Sequence, residues 1–220
     1  MIKVVISGYG KMGHMVEQEL KSRGIELVLA SEDITSSDPE IDKECVCIDF
    51  TTPAAFRANY TFLAQHFKAV VVGTTGWSDI FDEVKKAFDE AATPMIYASN
   101  FSLGVNALYA AVAKTCSMLK DAGYEPHIEE IHHIHKLDAP SGTAKTLAGI
   151  VETELGNRPE ITSLREGEVP GIHTLTLTSD CDSLTLRHEA FSRAGFAKGA
   201  VTAALFTENL QGVHEFCELL

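Results

Sequence analysis

The stretch EIHHIHKLDAPSGTAKTL, residues 130–147, places His132, His133, His135 and Lys136 within five positions. An imidazole titrates near pH ~6.5, so it can hold or release a proton at neutral pH. A lysine beside it can bind a carboxylate or polarise a carbonyl. These bases run into Pro140, Ser141, Gly142 and Thr143. There Ser141 is placed to cap a helix, and Gly142 and Thr143 to present amides at its positive end. Proton donors followed by an anion nest suit a small anionic substrate. If 128–136 is extended, period two puts Ile128, Glu130, His132, Ile134 and Lys136 on one face, and Glu129, Ile131, His133 and His135 on the other. His132 and Lys136 would then stand about 13 Å apart along a straight strand. They reach one ligand only if the strand ends near Lys136 and the chain curls. Two other readings stand beside this one. His133 and His135 could chelate a metal, although a third ligand would be needed and no second matched pair is present. The run could also be a solvated polar strand. The expectation for a metal is none.

A second constellation opens the chain. SGYGKMG, residues 7–13, sets Gly8, Gly10 and Gly13 directly after a β-branched run and at the start of a helical one. In that context the first glycine permits a tight turn, the second lets a pyrophosphate approach the backbone, and the third allows close helix packing. The helix N-terminus then faces the phosphates. Glu32 lies 19 positions past Gly13, near the roughly 20-residue spacing of the acid that takes ribose hydroxyls. With Asp33 beside it and no base until Lys43, this acid favours NADH, while Lys11 in the loop could reach an added phosphate. NADH is therefore expected to serve at least as well as NADPH. DFT (49–51) and GTTG (73–76) close two further apolar runs, where ligands of open α/β sheets sit.

The elements that must position these groups read as follows. Strands at 2–7, 25–30, 45–51, 69–75 and 94–99 alternate with helices that end at Gly24 and span 53–67 and 78–92, the last starting on a Ser78 cap. Continuous apolar strands alternating with helices mean a doubly wound parallel sheet. After Asn100 the rhythm changes: a helix at 103–121, an extended 126–136, a helix at 143–155, alternating strands at 173–180 and 183–191, and a helix over 198–220. A domain change is placed near residue 100. The fold class is α/β: a Rossmann-type doubly wound sheet plus a mixed α/β domain.

Composition removes several classes. The chain has 220 residues, enough for one large or two small domains. Its formal net charge of −13 speaks against nucleic acid as a partner. No apolar run approaches the roughly 20 residues of a membrane-spanning helix. The N-terminus lacks a signal-peptide layout, and strand character from Ile2 leads to the expectation that nothing precedes the fold. The five cysteines, Cys45, Cys47, Cys116, Cys181 and Cys217, include no Cys-x-x-Cys pair. That argues for free thiols in a reducing cytoplasm, with Cys45 and Cys47 buried on one strand face.

EIHHIHKLDAPSGTA resembles the signature of the dihydrodipicolinate reductase family, and the likeness extends along nearly the whole chain. GYGKMG resembles the family's nucleotide loop, DFT and GTTG its strand ends, SNFSLGVN (99–106) its interdomain segment, and SRAGFAKGA (192–200) its late stretch. The resemblance implies a discontinuous dinucleotide-binding domain, 1–101 with 194–220, and a substrate-binding and oligomerisation domain, 102–193, in a homotetramer. It implies reduction of 4-hydroxy-tetrahydrodipicolinate to tetrahydrodipicolinate with NADH and/or NADPH, in the diaminopimelate route to lysine. It assigns His132 as proton donor and Lys136 as an essential lysine. His133, Lys136, Ser141, Gly142 and Thr143 would hold the carboxylates of the cyclic substrate. Gly8, Gly10, Lys11, Met12, Gly13, Glu32, Phe50, Gly73, Thr75, Ser99, Asn100 and Phe101 would line the cofactor cleft. Two departures stand out: segment 31–43 is short, and the glycine loop is one residue tighter than the double-glycine form. Another small Rossmann dehydrogenase of amino or keto acids would not need the full His132 string. A non-catalytic NAD(H) sensor would call for a partner-binding module, and no basic patch supplies one.

Overall fold

Every residue of CVCID (β3, Cys45–Asp49) and AVVV (β4, Ala69–Val72) is buried, as are Val4, Val5, Ile6 and Ser7 of β1 (Lys3–Ser7). Strands buried on both faces need helices on both faces, which is the parallel α/β solution. In the computed structural model, which describes residues 2–38 and 42–220, these strands join β2 (Glu26–Ser31), β5 (Met95–Tyr97) and β10 (Val213–Glu215). The six-stranded sheet has the order β10-β5-β4-β3-β1-β2, with every pairing parallel. Helix α1 (Lys11–Ser22) and helix α6 (Ala194–Phe206) cover one face, where Val16, Leu20, Ala197, Ala200, Val201 and Ala204 pack with Ile6, Ile48 and Ile96. Helices α2 (Pro53–His66) and α3 (Phe81–Ala91) cover the other, where Phe56, Leu63, Val84 and Phe88 pack with Val5, Cys47 and Val70. These elements belong to a first unit, Met1–Ser102 with Phe196–Leu220.

The second unit, Leu103–Gly195, is a four-stranded mixed sheet of order β7-β6-β8-β9. Its strands are β6 (Glu125–His132), β7 (Glu160–Arg165), β8 (Gly171–Thr178) and β9 (Ser183–Ala190). β6 pairs parallel with β7 and antiparallel with β8. Helices α4 (Leu103–Leu119) and α5 (Gly142–Leu155) pack Val112, Cys116, Leu147 and Val151 against Ile128, Leu175 and Leu177 on one face.

The structure departs from the sequence reading at four places. Strand β6 stops at His132 rather than running to 136. Strand β7 occupies a stretch left unassigned; EITSLR alternates too weakly to stand out. The helix expected over 198–220 is α6 followed by β10 and a short 3-10 turn, Phe216–Leu219. Gly212, at φ +79, sits where the chain turns into that strand, and a glycine at positive φ is a turn signal rather than a helical one. Ser78 does not cap α3: a 3-10 turn, Ser78–Ile80, precedes it. Residues 39–41 of the polar 31–43 segment lie outside the described residues.

Candidate active site

Strand register builds the site in the second unit. On β6, Pro126, Ile128, Glu130 and His132 form the buried row. Across β8, Ile128 pairs with Leu175 and Glu130 with His173; across β7, Glu130 pairs with Ser163 and His132 with Arg165. The apolar row under the helices therefore continues into a polar cluster at its end. Glu130 is fully buried and His132 and His173 nearly so. A buried carboxylate is tolerated only when its oxygens are satisfied. Here His132 Nδ1 hydrogen-bonds one oxygen, and Arg165 Nη1 donates to the other at 3.0 Å. Burial pushes the Glu130 carboxyl up, but hydrogen bonds from Ser163, Arg165 and His132 outweigh it and hold it below the usual value.

Burial pushes the His132 imidazole below its ordinary value, against the raising pull of Glu130; Lys136 and Arg165 add to the lowering. The two partners agree on one state: an ionised Glu130 accepting from a neutral His132. His173 is pushed down to about 4, first by burial and then by His132. Its Nε2 lies 3.0 Å from Ser141 Oγ, while its Nδ1 is buried without a hydrogen-bond partner among the described residues. Ser141 caps α5, accepting the Ala144 amide at 3.2 Å. The helix start at Gly142 is exposed, with nothing within 4 Å of where a Cβ would stand.

After His132 the chain turns, and the Lys136 amide bonds the His133 carbonyl at 3.1 Å. This is the curl that two-residue periodicity required, four residues earlier than expected. Lys136 Nζ meets Asp138 at 2.7 Å, and the lysine holds that carboxyl below its usual value. Arg165 clamps the turn by donating to the carbonyls of Lys136 and Asp138. His133 and His135 lie beyond the strand, their ring centroids 6.0 Å apart, and His135 pairs with exposed Glu168 at 3.1 Å. The extended geometry that the chelating reading assumed is therefore not present at these two residues, which follow the end of β6. Glu130, His132 and His173 do bring three nitrogen or oxygen atoms within 4.8 Å of one another. The Arg165 guanidinium already supplies the positive charge on Glu130, so the cluster reads as a hydrogen-bonded set. Glu130, Arg165 and His173 were absent from the sequence-derived set. Glu130 shares the His132 face and could have been found by periodicity; Arg165 and His173 are brought in by pairing alone.

In the first unit the glycine loop follows β1. Gly8, at φ +89, would set a Cβ 2.4 Å from the Phe50 carbonyl oxygen, and a Cβ on Gly13 would stand 2.4 Å from the Gly8 oxygen. Around Gly10 nothing lies within 4 Å. α1 starts at Lys11, with Gly10 as N-cap and no side chain bonding its first amides. That leaves an open cradle before a positive helix end. Met12 packs against the core, and Lys11 is exposed. The Phe50 ring lies over Gly73, where a Cβ would meet it at 2.1 Å. Asp49 is buried and takes hydrogen bonds from Ser7 (2.7 Å), Thr51 (3.1 Å) and Thr74, tying the ends of β1, β3 and β4. Thr75 and Ser99 line a pocket of ≈ 210 Å³ with Trp77, Phe81, Tyr97 and Glu215. Asn100 accepts the Ser102 amide at 2.9 Å. The Phe101 ring is spent in the core, 5.1 Å from Phe216, leaving only its backbone for a ligand. After β2, Asp33 caps the 3-10 turn Ile34–Ser36 through the Thr35 amide and hydroxyl, and Ser31 bonds the Asp33 carbonyl. Glu32 is exposed and has no bonding partner among the described residues.

Residues 2–101 match the family described as "Dihydrodipicolinate reductase, N-terminus", and residues 104–220 the one described as "Dihydrodipicolinate reductase, C-terminus". The chain belongs to the dihydrodipicolinate reductase family. The 4-hydroxy-tetrahydrodipicolinate reductase of Christiangramia forsetii is 37% identical over 236 residues, covering 100% of this chain and 98% of that protein. The reductase of the same name from Methanocorpusculum labreanum is 32% identical over 258 residues, covering 100% and 99%. The dipicolinate-bound dihydrodipicolinate reductase from Paenisporosarcina sp. TG-14 shares the fold, with a TM-score of 0.85 at 21% identity over the full length of both chains. Among the described residues no helix is long and apolar enough to cross a membrane.

Proposed function

We propose that this chain is a 4-hydroxy-tetrahydrodipicolinate reductase that uses NADH and/or NADPH in the diaminopimelate route to lysine. The carrying observation is the cluster that joins His132, anchored on ionised Glu130, to Lys136 and the Ser141-capped helix start, in a chain that matches this family end to end. Replacing a ring hydroxyl by hydrogen needs a hydride, a proton and the departure of water. NAD(P)H supplies the hydride when bound. The glycine loop fits its pyrophosphate: Gly10 leaves room, and the first amides of α1 lack a capping side chain. Gly8, Gly10, Lys11, Met12 and Gly13 form that cradle, and Phe50, Gly73, Thr75, Ser99, Asn100 and the Phe101 backbone the remaining contacts. Glu32 accepts the ribose hydroxyls, because Ser31 and Asp33 are committed to each other and to the next turn.

Lys136, His133, Ser141, Gly142 and Thr143 hold the two carboxylates of the substrate. His132 delivers the proton. Its depressed basicity suits this role: a dianionic substrate that engages Lys136 removes one of the charges holding His132 neutral and adds negative charge beside it, so a proton is drawn on as the substrate binds. The domain assignment, 1–101 with 194–220 for the dinucleotide and 102–193 for substrate and assembly, belongs to this reading. So does a homotetramer. Within the described residues of the second unit, helices pack on one face of its sheet, and the other face carries the row Leu164, Ile131 and Ile172. A cytoplasmic location is supported by five unpaired cysteines.

The test is His132→Gln. Turnover on 4-hydroxy-tetrahydrodipicolinate should fall by about 10²–10⁴, the usual worth of general acid catalysis, with NADH affinity unchanged. A variant that keeps half the wild-type rate would remove His132 from the reaction.

A further inference from the structure

The Nε2 edge of His132 is kept open by a glycine. A Cβ at Gly171 would stand 3.0 Å from His132 Nε2, and the ring of His173, which pairs with Glu130 across β8, lies edge-on at 5.0 Å between ring centroids. The Nδ1 edge is occupied by Glu130, whose second oxygen is held by Arg165 at 3.0 Å. A carboxylate accepts and cannot donate, so the Nδ1 that it touches must carry hydrogen. Resting on the reading of His132 as proton donor, we propose that Glu130 is a positioning residue: with Arg165 behind it, it holds His132 with Nδ1 protonated, so that the only exchangeable site is Nε2, facing the space left by Gly171. In the transfer the Nε2–H bond breaks, its electron pair stays on Nε2, the proton passes to the substrate, and Glu130 remains ionised throughout.

Other groups around His132 do not replace this function. Lys136 from the following turn and Arg165 from β7 carry positive charge and oppose the imidazolium. His173 on β8, with His188 on β9 behind it, is held neutral. Asp138 is spent on Lys136, and Glu130 is the carboxylate that hydrogen-bonds His132.

Glu130→Gln separates charge from shape. Arg165 requires an acceptor, so the glutamine oxygen turns to it and the amide nitrogen faces His132 Nδ1. That places a donor on Nδ1, favours the opposite neutral tautomer and sets two donors against each other in the imidazolium. The expected result is a loss of about 10²-fold or more in kcat, with the KM for NADH unchanged. The alkaline limb of the kcat/KM profile should move down by about one pH unit or more, as removal of an adjacent opposite charge requires. Glu130→Asp should restore part of kcat. The second measurement, on the wild-type protein, is the long-range 15N correlation of the His132 ring, expected to report Nδ1–H. A folded Glu130→Gln with an unmoved pH limb and kcat within about threefold of an active wild type would overturn the inference, as would an Nε2–H tautomer in the wild type. A wild type that holds Nδ1–H but does not reduce the cyclic diacid would refute the functional reading alone.

Discussion

Acidification between pH 6.5 and 4 should weaken the second unit through His173. Burial, then the neighbouring His132, pushes this imidazole down to about 4, whereas an unfolded chain holds it near ~6.5. Its Nδ1 is buried with no acceptor among the described residues, so a second ring proton would add an unsatisfied donor. For a base with a depressed folded value, the unfolded state takes the proton first. Stability from this group is therefore full above about pH 6.5 and falls as the pH falls. The linkage relation gives a loss of about 2 kcal/mol by pH 5 and about 3 kcal/mol by pH 4. His132 and His188 are also depressed by burial and add in the same direction. The ionised Glu130 and Asp138 contribute losses only at lower pH, as the pH falls through the carboxylate range, whereas burial raises the Asp42 and Asp49 carboxyls and gives them the opposite sign, so the share of His173 is read from its variant against the wild type. Urea midpoints at pH 7.5, 6.5, 5.5 and 5.0, read by circular dichroism, measure this slope. His173→Asn should flatten it by about 2 kcal/mol between pH 7.5 and 5. Equal slopes in variant and wild type, or a His173 resonance titrating near 6.5 in the folded protein, would refute the reasoning.

Two further outcomes are expected. Lys136→Ala should raise the KM for the cyclic diacid by about tenfold or more while leaving the thermal transition in place, since its pairing with Asp138 is partly exposed and such pairs contribute about 0–1 kcal/mol; a lost transition with ordinary kinetics would make the lysine structural. NADH should serve at least as well as NADPH, and Glu32→Arg should shift kcat/KM toward NADPH by about tenfold, or 1.4 kcal/mol; a wild type favouring NADPH tenfold would mean that Glu32 does not meet the ribose.

The sequence by itself determined five of the six strands of the first sheet and its ligand loop. CVCID and AVVV are apolar throughout because both their faces are covered, and Gly8, Gly10 and Gly13 are legible because backbone approach has no substitute for a missing side chain. Periodicity also placed Glu130 and His132 on one face, a local property of eight residues. The end of β6, the strand β7 and the strand β10 were beyond it. Each depends on a partner: Val213 pairs with Met95, and Glu160 with His127, across intervals no local pattern spans. For the same reason only the tertiary structure decided the chemistry around His132. Arg165 and His173 reach Glu130 through strand register, and burial of Glu130, His132 and His173 sets which nitrogen and oxygen atoms are charged. Composition names the ionisable groups; their protonation depends on desolvation and on neighbours that the folded chain brings within hydrogen-bonding distance.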